Sequence, residues 1–418
     1  MFDELLTDAD RQYLRRVEEF CREKVDPNCA KWDEDESLPR EIFTDAGRLG
    51  LLGMTAPTEL GGRGLSFTTY VHALMTLGRH SAALAVDIAA HNALSVGHIL
   101  TFGSEAQRRC YVPKLASGEW LGAWALTEPN AGSDTNAVES FAVQAGDRWE
   151  LSGEKMFITQ GRRADVLVVM ARSGQPQRVN GDARPEISAF VVTAQHRQVI
   201  RKIPTYGIKS SDTAEIRFDR APVELLGQRG KGRENALSLL DRGRIGIAAL
   251  AVGIARAARD EAAAYSLRRK QFSRPIADFQ AVQWMLADST AELEAAELLV
   301  LKAAALEDAG RSSPRAASIA KLFASEAATR ICNRAVQVLG GRGVSRDYPV
   351  ERCLRDAKIC EIVEGTSEVQ RLIIARDVLK ETEAVSITPS PLYSGERAGV
   401  RGQPSSSGRS APHPNPLP

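Results

Sequence analysis

Glu364 lies in Val363-Glu364-Gly365-Thr366-Ser367, directly ahead of a helical pattern, and is the residue best placed to do chemistry. A carboxylate just before a helix N-terminus faces several free backbone N–H groups. Gly365 adds a point where a ligand can come close to the backbone. Ser367 and Gln370 have capping-box spacing, and Val369, Leu372 and Ile373 form an apolar stripe behind them. Taken alone, the stretch reads more simply as an ordinary acidic residue favouring a helix start.

Other residues group in ways that suit a bound nucleotide. The loop Trp124-Ala-Leu-Thr-Glu-Pro-Asn-Ala-Gly-Ser-Asp134 offers backbone N–H groups, the hydroxyls of Thr127 and Ser133, and Gly132. Such a loop can cradle a pyrophosphate, or it is a tight turn between elements. Phe157 and Thr159 are two apart on an expected strand and share a face. Arg269 carries the fixed fork of donors that suits a phosphate, or it is a solvated helix charge. Asp241 and Arg244 are three apart on a helix and can pair with each other. GxGxxG, GxxxxGK[ST] and GxSxG are absent, which disfavours a Rossmann enzyme, a P-loop enzyme or an α/β-hydrolase. Gly340-Gly341-Arg342-Gly343 follows a helical run and reads as a loop.

The elements that must position these residues change character along the chain. Residues 7–120 read as mainly helical, starting with a Thr7 cap and Leu14, Val17, Phe20, Cys21 and Val25 at helical spacing. His91 and His98, on an Ala/Leu-rich helix, read as packed core. From about 121 to 230 there are β-rich runs at Trp149–Leu151, Met156–Thr159, Val166–Ala171, Ile187–Ala194 and Glu215–Phe218. Turns are expected at Ser152-Gly153-Glu154 and Gly174–Arg184. From 231 long Ala/Leu-rich helices follow. Residues 384–418 hold seven of the chain's nineteen prolines and read as disordered.

At 418 residues, 43% hydrophobic and 26% charged, the chain has ample core for two or three domains. A net charge of +1 gives no reason to expect nucleic acid or an anionic membrane as partner. No uninterrupted apolar run reaches transmembrane length. The six scattered cysteines read as reduced thiols in a cytoplasmic protein, and no metal site is expected.

Four stretches, in order and spacing, resemble one family, the acyl-CoA dehydrogenases. They are Trp124–Asp134, Gly153–Thr159, Arg269–Phe272 with Pro275-Ile276 and Phe279-Gln280, and the run from Gln337 through Gly343 to Glu364-Gly365-Thr366. The resemblance covers about residues 5–382. It implies an α+β fold with an N-terminal helical domain (1–120), a middle β domain (121–230) and a C-terminal four-helix bundle (231–382), followed by the tail (383–418). It further implies a homotetramer with one FAD per subunit. By the same resemblance Trp124, Leu126, Thr127, Gly132, Ser133, Phe157, Thr159, Thr366 and Gln370 bind FAD. Leu126 and Thr127 would meet the flavin ring, Ser133 the phosphates, Phe157 a ring face and Thr159 the N5 edge. Arg269, Gln271, Phe272 and Gln280, with Gln337 and Gly341, would serve the FAD of a neighbouring subunit. Ser133, Ser211, Asp241, Arg244 and Gly365 would line the acyl-CoA.

The activity this resemblance implies is α,β-dehydrogenation of an acyl-CoA to the trans-2-enoyl-CoA. Glu364 would take the α proton while flavin N5 takes hydride from the β carbon. The thioester carbonyl would accept hydrogen bonds from the Glu364 N–H and a ribityl hydroxyl of FAD, which stabilises the enolate. Burial raises the glutamate's pKa and the helix terminus lowers it, so the net sign stays open. Some relatives carry the base at the position filled here by Gly243, and glycine cannot do that job. The Leu240-Asp-Arg-Gly-Arg-Ile-Gly-Ile run is most like the short-chain members, so butyryl-CoA is the expected substrate and branched short-chain or medium-chain acyl groups are the alternative. Electrons would leave to electron-transferring flavoprotein. The reading from a different class is a catalytically silent flavin- or CoA-binding scaffold.

Overall fold

Thr7 opens the first helix, α1 (Asp8–Phe20). Its Oγ1 accepts from the Asp10 N–H at 3.1 Å while the Asp10 carboxylate accepts from the Thr7 N–H at 2.9 Å. Tyr13 and Val17 turn inward, and a π-helical turn, Cys21–Val25, carries the stripe on through Cys21 and Val25. The computed structural model describes residues 6–146, 148–179 and 182–387. Further helices follow: α2 (Cys29–Glu34), α3 (Arg40–Leu49), α4 (Phe67–His80), α5 (Ala82–Ala89), α6 (Gly97–Phe102) and α7 (Glu105–Ser117). Serines 66, 81 and 104 cap α4, α5 and α7. A π-helical turn, Ala90–Val96, joins α5 to α6. Ala82–Phe102 is thus a 21-residue helix apolar enough to cross a membrane, although Asp87, His91 and Asn92 interrupt it. Its most apolar window is 83% buried inside the protein, which marks a core helix.

The β region contains β1 (Gly122–Ala125), β2 (Phe141–Ala145), β3 (Arg148–Thr159), β4 (Val166–Arg172), β5 (Gln177–Val179), β6 (Asp182–Arg184), β7 (Ile187–Thr193), β8 (Gln198–Lys202) and β9 (Thr213–Leu226). Pairings β4–β2–β3–β9–β7 return to β4 and close a ring, with β1 parallel on β4 and β8 on β9. The strand β4 shows why the sequence reads as it does. Leu167, Val169 and Ala171 face the ring interior with Phe190 and Ile216. Val166, Val168 and Met170 face outward to a second cluster with Leu115 and Leu239. Buried on both faces, the strand has no polar side to show.

Two expectations fail here. Ser152-Gly153-Glu154 is not a turn, because β3 runs straight through it as one strand with a bulge in which Gly153 takes φ +138°. Phe141–Ala145, where the sequence pointed to no strand, forms β2, a five-residue strand in which only Ala142 is buried.

The second helical region opens with α8 (Gly232–Arg268), 37 residues long. A small hairpin of β10 (Lys270–Gln271) and β11 (Arg274–Pro275) follows, then α9 (Gln280–Asp308), α10 (Pro314–Leu339), α11 (Val350–Cys360) and α12 (Ser367–Ile387). Helices α4 and α8 meet backbone to backbone. A β-carbon at Gly253 would lie 2.3 Å from the Met75 carbonyl oxygen. No other residue fits there. The glycine run after α10 forms a 3₁₀ turn, Gly340–Val344. The expected tail overlaps the described residues only at its start, where α12 continues to Ile387, and residues 388–418 lie outside them.

Candidate active site

Glu364 is held in an unusual backbone. After α11 ends, Glu364 takes φ +54° and Gly365 φ +98°, two left-handed steps in succession. For a glutamate that step costs roughly 1–2 kcal/mol. Such strain is tolerated where surrounding contacts fix it. The cap of α12 is Thr366, whose Oγ1 accepts from the Val369 N–H at 3.4 Å. The expected Ser367–Gln370 capping box does not form. Ser367 is the first residue of the helix, and Gln370 turns back so that its Nε2 donates to the Gly365 carbonyl at 2.8 Å.

The carboxylate points at α8. Its Oε2 is enclosed and has no hydrogen-bond partner among the described residues. A β-carbon at Gly243 would stand 1.8 Å from that oxygen. One turn on, a β-carbon at Gly246 would meet Leu74 and the Tyr70 hydroxyl, both at 3.4 Å. The Tyr70 hydroxyl is itself buried without a partner among the described residues, and Glu364 adds to the burial that raises its pKa. Burial pushes the Glu364 carboxyl up to about 7, against the pull of Lys321 and Arg244. The shift is upward because desolvation outweighs the two nearby cations. A carboxylate poised near neutrality in an apolar recess suits a general base.

Arg244 and Asp241 pair with each other at 2.5 Å and are both buried, as their helical spacing allowed. Burial raises the Asp241 pKa, opposed by Arg244. The Arg244 Nε is enclosed and unpartnered among the described residues. Ser211 is 1% exposed and its hydroxyl donates to Asp87 of α5 at 2.5 Å, so it ties the β region to the helices. Gln370 is likewise fully enclosed; its amide nitrogen holds Gly365, while its Oε1 has no partner among the described residues.

The residues expected at a cofactor fall into two groups. Leu126, Thr127, Gly132 and Ser133 follow β1 on a loop braced from below by a buried ion pair, Lys155 Nζ to Glu128 Oε1 at 2.6 Å. Lys155 also donates to the Leu126 carbonyl at 3.1 Å, and the Met156 N–H to that of Thr127 at 2.9 Å. Glu128 receives the N–H groups of Glu139 and Ser140. Beside this loop a second bulge in β3 gives Phe157 φ +60°, and its ring stays 55% exposed, with Thr159 on the same outer side. Trp124 spends its indole N–H on His98 at 3.1 Å. Burial lowers the pKa of His98 and His91 to about 4, so both are neutral core residues as expected. The second group lies elsewhere: Arg269, Gln271, Phe272 and Gln280 around the hairpin, Gln337 in the last turn of α10 and Gly341 just after it are all exposed. Phe272 is 90% exposed at φ +50°.

These features fit a flavin dinucleotide. Exposed rings at Phe157 and Phe272 leave flat apolar faces open, and β-carbons at Gly132, Gly340 and Gly341 would meet nothing within 4 Å. Sequence reasoning missed Lys321, Tyr70, Lys155 and Glu128. Lys321 stands among alanines in SIAKLFASEAA, and a cation within that small-residue stretch was the available signal.

A helical region, a closed β region and a helical bundle, with the Glu364 carboxyl enclosed, match an oxidoreductase of the flavoprotein class. Family models for the acyl-CoA dehydrogenase N-terminal, middle and C-terminal domains match residues 7–119, 123–221 and 230–379. The chain belongs to the acyl-CoA dehydrogenase family. It is 40% identical over 383 residues to a short-chain specific acyl-CoA dehydrogenase of Clostridium acetobutylicum, covering 90% of this chain and 99% of that one. The solved butyryl-CoA dehydrogenase of Megasphaera elsdenii is 36% identical with a TM-score of 0.86, again over 90% and 99%. A chain solved in a study of the electron transferring flavoprotein of Acidaminococcus fermentans is 38% identical with a TM-score of 0.87, covering 90% and 99%.

Proposed function

We propose that this enzyme oxidises a short straight-chain acyl-CoA to its trans-2-enoyl thioester, with Glu364 as the base. One observation carries the reading: the enclosed, unpartnered Glu364 Oε2 facing the bare backbone of Gly243. The carboxylate removes the α proton, and the recess keeps water from competing for it. The Glu364 N–H, which has no acceptor among the described residues, donates to the thioester carbonyl and stabilises the developing enolate. Leu126, Thr127, Gly132, Ser133, Phe157, Thr159 and Thr366 hold FAD, and Arg269, Gln271, Phe272, Gln280, Gln337 and Gly341 hold that of a neighbouring subunit in a homotetramer. When bound, FAD supplies the acceptor for the β hydride. Arg244 and Asp241 set the charge around the site rather than gripping the CoA arm.

Short acyl groups are supported by the butyryl-CoA dehydrogenase and short-chain relatives. Electron-transferring flavoprotein is the proposed acceptor, in keeping with the relative solved in the study of such a protein. Anaerobic titration with acyl-CoAs from C4 upward tests this. Butyryl-CoA should bleach the flavin band of the wild type, and Glu364→Gln should bind FAD without bleaching. Bleaching by Glu364→Gln at the wild-type rate would remove Glu364 as the base.

A further inference from the structure

Lys321 is 0% exposed in the middle of α10, and the mechanism above gives it no task. Its Nζ donates to the Gly365 carbonyl at 2.8 Å, the same oxygen that Gln370 Nε2 reaches at 2.8 Å. Two donors from two helices therefore clamp one peptide, immediately after the left-handed Glu364. A carbonyl receiving two hydrogen bonds fixes the peptide plane, and with it the direction of the residue before it. A buried ammonium is also costly unless something compensates it. The groups that face it are Glu364 and Glu361 on the acidic side, Arg244 from α8, and the Cys360 thiol. Glu361 already accepts from Thr329 and Lys358, which leaves Glu364 as the acidic neighbour with an unpartnered oxygen. Glu364 itself faces Lys321, Arg244 and the neutral Tyr70 hydroxyl.

We propose that Lys321 is a positioning residue for the catalytic base. It pins the Gly365 carbonyl so that the Glu364 carboxylate aims at the recess over Gly243, and it sets a buried positive charge beside that carboxylate. The inference rests on the reading of Glu364 as base. The charge has a directional consequence. Glu364 works when ionised, so the rate should rise with pH through about 7, where its carboxyl titrates. Burial holds Lys321 near 8, so it is still largely cationic there. Without that cation the carboxylate ionises at higher pH, and the acidic limb moves up.

The test uses the FAD-loaded enzyme with butyryl-CoA and an artificial electron acceptor between pH 5.5 and 9. Lys321→Met should keep KM within about threefold, lower kcat at least tenfold, and move the acidic limb up by roughly one unit, a tenfold change in proton affinity. Lys321→Arg should restore the limb. Lys321→Gln, which keeps a donor but no charge, should shift the limb while losing less kcat, and it decides the matter if the methionine variant does not fold. A folded Lys321→Met or Lys321→Gln with the wild-type limb overturns the proposal. Glu364→Gln is run in parallel. If it still turns over, the base reading fails and takes this inference with it. If it is dead while the lysine variants titrate normally, only the role of Lys321 fails.

Discussion

At the scale of single residues, the site is made by what α8 lacks. Gly243 leaves the gap that Glu364 fills, since any β-carbon there would overlap the carboxylate at 1.8 Å. Alanine normally favours a helix over glycine. Gly243→Ala should therefore fold and keep its flavin while kcat falls about 100-fold, the usual penalty for displacing a reacting group by about an ångström. Stopped-flow bleaching with butyryl-CoA would show it, and a variant of unchanged rate would mean that the carboxylate acts from another rotamer. Sequence alone singled out Glu364 and excluded Gly243 as a base. It could not show that the two positions touch, because they are far apart in the chain and meet only when α8 packs beneath the start of α12. The partner of Ser211, Asp87 on α5, was hidden for the same reason.

At the scale of elements, the loop after β1 depends on a strand that lies beneath it. The Lys155–Glu128 pair is almost wholly buried, at 0% and 3% side-chain exposure, and Lys155 also supports the Leu126 carbonyl. Removing one member of a buried pair strands the other charge, which typically costs about 3–5 kcal/mol. Lys155→Met should thus lower the melting temperature strongly and weaken flavin retention, and adding Glu128→Gln should recover part of the stability. Thermal denaturation with parallel flavin absorbance measures both. If the single variant melts like wild type, the pair is not what holds the loop. The helices were legible in the sequence because capping residues and apolar spacing are local, as Thr7 and the stripe through Val25 show. Strand β3 was misread as two runs because Ser152-Gly153-Glu154 has turn composition, and its pairing with β2 on one side and β9 on the other carries the strand through.

For the whole molecule, large apolar side chains remain outside. Leu267 is 68% exposed, Trp284 63% and Phe272 90%, and they lie on α8, α9 and the hairpin between them. Such side chains on one connected region mark a surface made to be covered. In the proposed homotetramer they meet neighbouring subunits, and Arg269, Gln271 and Phe272 complete a neighbour's flavin site. Trp284→Arg should then reduce the sedimenting mass below that of a tetramer and release FAD on dilution. A variant that stays tetrameric with full flavin would separate assembly from cofactor binding.

By itself the sequence determined the order of helical, β and helical regions, the residue types at the site and the kinship they carry. Those follow from periodicity, caps and short contiguous motifs, which act within a few residues of chain. Only the tertiary structure decided that Lys321, Gly243, Arg244 and Tyr70 surround Glu364, and that burial lifts its carboxyl to about 7. Desolvation and charge depend on what packs around a group in space, and these neighbours come from α4, α8 and α10, far from residue 364 in the chain.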